Sequence, residues 1–150
     1  MNIVPKIGMD DVLFGESIAE LLDRLGSPVS EHTLDDIDTH PKSRLVLNYV
    51  NRGFLATPEL GVISITVETE QSLITLWGTE INSMNQSELA EFLTSKQCDA
   101  RIGTTDGWGD SDVESLDHGI IASFSENRLE SIEVHDPTWR TTDRDRDITM

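Results

Sequence analysis

Apolar positions along this chain fall into two helical stripes separated by short runs of β-branched residues. Ile18, Leu21, Leu22 and Leu25 recur at i, i+3, i+4 and i+7, the spacing of one helix face. Ser17 with Glu20 forms a capping box ahead of them, and Gly26 followed by Pro28 ends the pattern, which predicts a helix from about Ser17 to Leu25. A second stripe, Leu89, Phe92 and Leu93, follows Asn85 as N-cap with Glu88 three residues on, and Met84 is placed to staple onto Leu89. That predicts a second helix from about Gln86 to Lys96. Leu22 and Phe92 are the core positions expected to be equivalent in the two helices.

The remaining apolar runs read as strands and turns. Residues 1–14 carry the scattered apolar pattern of an edge strand. Ser30–Lys42 is polar, acidic and broken by Pro41, which predicts a loop. Leu45–Val50 predicts a strand, Asn51-Arg52-Gly53 a turn, and Phe54-Leu55-Ala56 the start of another strand before Pro58. Leu60–Gly78 then pairs two apolar runs across Glu68-Thr69-Glu70-Gln71, and Gly119–Val134 repeats the arrangement across Ser125-Glu126-Asn127-Arg128. A glycine, a β-branched run, a polar turn and a second apolar run make a β-hairpin with one buried face. Helix, variable loop, strand and hairpin thus occur twice. The expected fold is α+β: an antiparallel sheet with two helices on one face, built from two similar units over about 13–78 and 82–136. These units share one domain, 1–136, and 137–150 reads as a frayed tail.

Charge changes the picture more than any motif does. Among 150 residues there are 28 acids and 11 bases, a formal net charge of −17. No Lys or Arg occurs between Arg52 and Lys96, and the acids from Asp99 to Asp117 are met by Arg101 alone. Such a chain repels nucleic-acid phosphates and anionic lipid, so neither is an expected partner. The charge either keeps the protein soluble or meets a basic protein, whose association complementary potential speeds and orients. The single cysteine, Cys98, fits a reducing compartment, the N-terminus does not read as a signal peptide, and no apolar run reaches the ~18–20 residues of a bilayer span. A cytoplasmic location is the expectation.

Chemistry-bearing motifs are few. Asp110-Ser111-Asp112-Val113-Glu114 has the alternate carboxylates of a calcium loop, but Ser115 and Ile121 occupy the positions where an EF-hand needs glycine and a bidentate glutamate. The EF-hand reading fails, and only an irregular calcium site stays open there. The histidines His32, His40, His118 and His135 form no zinc spacing. His118 and His135 either approach across the second hairpin or face solvent at its strand ends, and the second is the expectation. No nucleophile motif, phosphate loop or dinucleotide fingerprint is present, so no catalytic residue, metal or cofactor is assigned. Residues 99–118 read as an acidic, glycine-bearing loop. In it Trp108, between Gly107 and Gly109, either folds back on the core or anchors an interface ringed by Asp106, Asp110, Asp112, Glu114 and Asp117.

The order of parts resembles the tandem α+β units of the beta-lactamase-inhibitor protein fold. The resembling residues are Phe14-Gly15-Glu16-Ser17 leading into Ile18–Leu25-Gly26-Ser27-Pro28, then Gly61–Leu76 and Gly119–Val134; the second helix ends in Thr94-Ser95-Lys96 in place of Leu-Gly-x-Pro. The resemblance implies a scaffold whose concave sheet and connecting loops grip another protein. The expected function is therefore a cytoplasmic, non-catalytic binding protein that neutralises a basic partner, such as an immunity protein against a bacterial toxin. The partner-binding residues would be Asp106, Trp108, Asp110, Asp112, Glu114 and Asp117. A structural or adaptor domain of a larger complex is the alternative, and an unrecognised enzyme is third.

Overall fold

The computed structural model describes residues 1–33, 44–50, 52–70, 72–103 and 110–139. In chain order its first half comprises β1 (Asn2–Val4), β2 (Gly8–Met9), β3 (Val12–Leu13), α1 (Ile18–Leu25), β4 (Ser30–Thr33), β5 (Leu45–Asn48), β6 (Arg52–Thr57) and β7 (Gly61–Glu68). Then follow β8 (Thr75–Leu76), β9 (Thr79–Glu80), α2 (Gln86–Ser95), β10 (Arg101–Ile102), β11 (Asp110–Ser115), a 3-10 turn at Leu116–His118, β12 (Ile120–Ser125), β13 (Arg128–His135) and the helical turn α3 (Pro137–Trp139). The protein is a mixed α+β fold dominated by strands.

The eight-stranded sheet runs β10-β11-β12-β13-β7-β6-β5-β4 and is antiparallel throughout. Each long helix is followed by four of these strands, α1 by β4–β7 and α2 by β10–β13, and the two sets meet where β7 pairs with β13. A smaller sheet, β3-β2-β1-β8-β9, contains one parallel pairing, β1 with β8. Strand alternation sends Phe54, Ile65, Val67, Val113, Ala122, Phe124, Ile132 and Val134 to one face, and all are buried. They share a single core with Leu21 of α1, with Leu89 and Leu93 of α2, and with Ile3, Met9 and Leu76 of the smaller sheet.

Local chemistry sets the helix ends, though of the capping box expected at Ser17 and Glu20 only the Ser17 half forms. Ser17 accepts a hydrogen bond from the Glu20 amide, and Asn85 with Glu88 forms a reciprocal capping box. The C-terminal end of α1 is held by the Tyr49 hydroxyl, which donates to the Gly26 carbonyl at 2.8 Å. The Gln86 side chain donates to the Ser111 hydroxyl and fastens α2 onto β11. The helices are rolled differently from the expectation, however. Leu21, not Leu22, is fully buried in α1, and Leu89 and Leu93 enter the core while Phe92 stays half-buried with its ring against Trp77. Both expected positions are margins of the apolar stripe rather than its centre.

The second hairpin forms as predicted. Ser125 pairs with Arg128 across a two-residue turn in which Glu126 and Asn127 have φ of 51° and 61°, the left-handed geometry that matches strand twist. The Asn127 side chain then accepts from the Gln86 amide at 3.1 Å, so the hairpin tip also caps α2. Gly119, at φ +66°, opens this hairpin; a Cβ there would lie 2.0 Å from the His135 carbonyl oxygen.

The first hairpin is a correction. Gly61–Glu68 has both edges occupied, by β6 and by β13, which leaves Leu73–Leu76 no place beside it. That segment pairs instead with the N-terminal strand and turns through Trp77 and Gly78, both at positive φ, into β9. The hairpin containing β7 is β6–β7. Two expected loops also contain strands: Ser30–Thr33 is β4, and 99–118 contains β10 and β11. Residues 34–43 lie outside the described residues, and so does 140–150, most of the expected tail, whose first residues form α3.

One ionic knot joins the lead-in to α1 and β6. Arg24 donates to both Glu16 carboxylate oxygens at 2.7 Å and to Asp11 at 2.8 Å, and Arg52 lies 3.7 Å from the same Asp11 carboxylate. Partial burial pushes the Asp11 pKa up, but the Arg24 hydrogen bond and the charges of Arg24 and Arg52 outweigh it and leave the carboxyl below its usual range.

Two outcomes are expected. Leu21→Ala should cost about 2–5 kcal/mol in urea unfolding, clearly more than Leu22→Ala, because only the first leaves a cavity in the core. A lowered native pKa stabilises the fold above the ordinary carboxylate range, and that stabilisation is lost as pH falls through the native value. Asp11→Asn should therefore lower the melting temperature at pH 7, and the difference should shrink as pH falls below the ordinary carboxylate range of about 3.9.

Candidate functional site

The helices cover one face of the large sheet, and the opposite face is where the predicted site residues of β11 fall. On this strand Ser111, Val113 and Ser115 are buried toward the core, so Asp112 and Glu114 alternate onto the outer face. Asp110 opens the strand two residues before Asp112. The carboxylate spacing that resembled a calcium loop is the period of a strand. Asp117 lies in the 3-10 turn beyond the strand and is exposed. Asp106 and Trp108 lie outside the described residues.

Strand register extends this acidic edge across the sheet. Glu114 stands opposite Ile121, Ile121 opposite Glu133, and Glu133 opposite Thr66. In the next row Asp112 faces Ser123, Ser123 faces Ser131, and Ser131 faces Glu68. Glu133 and Glu68 are the site residues missed by sequence reasoning. The signal existed, since each is the polar member of an alternating strand: Ile132-Glu133-Val134 and Ile65-Thr66-Val67-Glu68. Reading 99–118 as a loop hid the fact that β11 shares their face.

With neighbouring strands about 4.8 Å apart, Glu114 and Glu133, two strands apart, are separated by about 10 Å, and Asp112 and Glu68, three strands apart, by about 14 Å, while Asp112 and Glu114 stand about 7 Å apart along one strand. At such spacings they do not share a proton as a catalytic dyad does. At these separations each pair repels by only about 0.3–0.6 kcal/mol in water. With a physiological screening length of about 8 Å, the nearest of these charges reinforce one another while the farthest do so only at low salt. Among the described residues no group of His, Cys, Asp and Glu could hold a metal ion. The face is therefore a broad patch of negative potential. Arg101 stands opposite Glu114 at the β10 edge and offsets it there.

At one end this face is closed. Ile63 and His135 are buried where the chain turns through Asp136, whose amide donates to the Ile63 carbonyl at 2.9 Å. The expectation that His118 and His135 both face solvent is thus wrong for His135. The His135 amide donates to the Gly119 carbonyl and ties the residue to the start of the hairpin, and its Nδ1 lies 3.1 Å from Glu133 Oε2. An ionised Glu133 selects the tautomer with its proton on Nδ1 and is itself held in place.

Behind β11 lies a polar cluster with familiar residue types but the wrong order for nucleophilic chemistry. The fully buried Ser115 hydroxyl donates to Asp99 at 2.8 Å, and the His118 Nδ1 is 3.9 Å from the same carboxylate oxygen. Asp99 occupies the centre, where a triad needs the histidine. Burial pushes the adjacent Cys98 thiol up, and the Ser115 hydrogen bond only partly offsets this, so little thiolate exists at neutral pH. The cluster is a strut between the α2 exit and β11.

No family model, no curated protein and no solved structure matches this chain. Nothing in those comparisons identifies a beta-lactamase-inhibitor-like or immunity-protein fold.

If the outer-face acids are a surface and not a structural network, removing them should not weaken the fold. Asp112→Asn with Glu68→Gln should leave stability unchanged or raise it by a few tenths of a kcal/mol at low salt, shrinking in 1 M salt. A loss above about 1 kcal/mol in urea unfolding would show that these carboxylates hold the sheet together.

Proposed function

We propose that this chain is a non-catalytic binding protein that engages a basic protein through the outer face of its large sheet. The observation that carries the reading is the alignment of Asp112, Glu114, Glu133 and Glu68 on the face opposite both helices. A net charge of −17 reinforces it at long range. A sheet face suits such a role because its backbone groups are already paired and it is rigid. Side chains on alternate residues set its potential without affecting the core.

Neutralisation of a toxin with a basic surface is the biological setting this reading favours. Blocking a toxin needs shape and charge over a broad area and no reacting group. The resemblance to tandem α+β inhibitors belongs to the same proposal. What supports it is that a helix followed by four antiparallel strands occurs twice and that the two sets abut at β7 and β13. A cytoplasmic location goes with it. Trp108, in the segment that leads into β11, supplies an aromatic anchor in this scheme.

The test begins with capture of the partner from the native cell and an assay of whether this chain suppresses that partner's activity. Asp112→Asn, Glu114→Gln and Glu68→Gln together should then slow association and flatten its dependence on salt, with little change in dissociation. Trp108→Ala should instead speed dissociation and cost about 2 kcal/mol or more. An acidic partner, or unchanged kinetics in both variants, would overturn the proposal. A captured partner that stays active in the complex would favour an adaptor role over neutralisation.

A further inference from the structure

The outer face is not uniform: it dips over Gly53. In register, Gly53 lies between Asn48 and Thr66, so the middle of a row of side chains lacks one. Around it Val46, Leu55, Ser64, Thr66 and Glu133 line an open depression of about 320 Å³. A second depression shares Asn48, Gly53 and Thr66 with the first and reaches Val50 and Glu68. The two make one trough that crosses the sheet with its lowest point at the glycine.

Backbone geometry does not call for a glycine here. Gly53 is absent from the positive-φ glycines, and the bulge in this strand pair falls later, between Leu55 and Ala56. Glycine inside a strand weakens it by giving up side-chain packing, and it marks places where a ligand or another chain comes close. An added Cβ would meet only the Asn48 Oδ1, at 3.0 Å, as a tight contact. The space above is free.

Resting on the function proposed above, we infer that the trough receives an extended segment of the basic partner. Its aliphatic side chain lies over Gly53, and a Lys or Arg two residues away, on the same face of the extended segment, reaches the acids on the β7 and β13 side. Charge complementarity names this occupant. Val46 and Leu55 give the floor its apolar surface, Val50 is 76 % exposed at one mouth, and the flanking carboxylates are Glu133 and Glu68. The cation in the wall, Arg52, is turned back toward Asp11 at 3.7 Å and over the Phe54 ring at 5.3 Å. The trough therefore presents apolar surface bordered on its β7 and β13 side by two acids, which recognises an aliphatic residue with a cation beside it on the same face of the segment.

Three synthetic peptides, each with its central residue and both ends on one face when extended, probe this on the full chain by amide NMR titration: Lys-Ser-Val-Ser-Lys, Lys-Ser-Gly-Ser-Lys and Glu-Ser-Val-Ser-Glu. The first should shift Ser64, Thr66 and residue 53 and bind about tenfold tighter than the second, as burial of one valine side chain predicts. The acidic peptide should not bind. Gly53→Val, which fills the dip, should remove the tenfold difference and leave the weaker, salt-sensitive binding of both lysine peptides. Gly53→Ala is the second variant: its Cβ would press on the Asn48 amide, which donates to Ser30 at 3.1 Å and has to shift by a few tenths of an ångström, and it should reduce the difference in part. Equal binding of the two lysine peptides, or parental selectivity in Gly53→Val, would overturn the trough while leaving the acidic face intact. Failure of both lysine peptides to perturb this face at low salt would overturn the trough and the acidic face together.

Discussion

Antiparallel pairing between β7 and β13 is the constraint on which the rest depends. It joins Ser64–Glu68 to Ser131–His135, residues far apart in sequence, and makes one eight-stranded sheet of two four-stranded sets. Because β6 already holds the other edge of β7, the chain after Glu68 must leave the sheet. It pairs with the N-terminal strand, which closes the core beneath both helices. The same pairing lines up Glu133 with Thr66 and Ser131 with Glu68. The acidic face and the trough that crosses it exist only because the two halves are joined in that register. A slip of one residue along β13 would turn Ile132 and Val134 outward and Glu133 inward, so burial fixes the register strongly.

Elements defined by local chemistry were legible in the sequence. Capping residues Ser17 and Asn85, the stop at Gly26 and the two-residue turn at Glu126-Asn127 act within a few residues of themselves, and each appears where its pattern predicts. What could not be read locally was partnership. Leu73–Leu76 has the composition of a strand, and nothing within it tells whether its neighbour is β7 or the N-terminus of the chain. The four residues of β4 carry no apolar alternation, because an edge strand with both faces exposed has none to show. Leu21 outranks Leu22 because of how α1 rolls against two sheets, a matter of tertiary packing that a helical stripe does not encode.

The site was legible in composition but not in arrangement. Asp110, Asp112 and Glu114 were marked by their spacing, and the same period of two that mimics a metal loop places Asp112 and Glu114 together on a strand face. Glu133 and Glu68 joined them only through the sheet. Dispersed at about 7–14 Å, these carboxylates act as a field and not as a pair sharing a proton. Keeping like charges on one face costs a little stability, and that cost is what a surface shaped for a partner is expected to carry.

Whether the outer sheet face meets the partner is tested most directly by carboxyl footprinting of this protein alone and in complex. Carbodiimide-driven amidation read by mass spectrometry labels each accessible carboxylate separately. A bound partner is expected to shield Asp112, Glu114 and Glu68 while Glu20 on α1 and Glu91 on α2, both exposed on the helical side, label as before. Shielding of Glu20 and Glu91 with undiminished labelling of Asp112 and Glu68 would place the interface on the helices and contradict the proposed role of the sheet face.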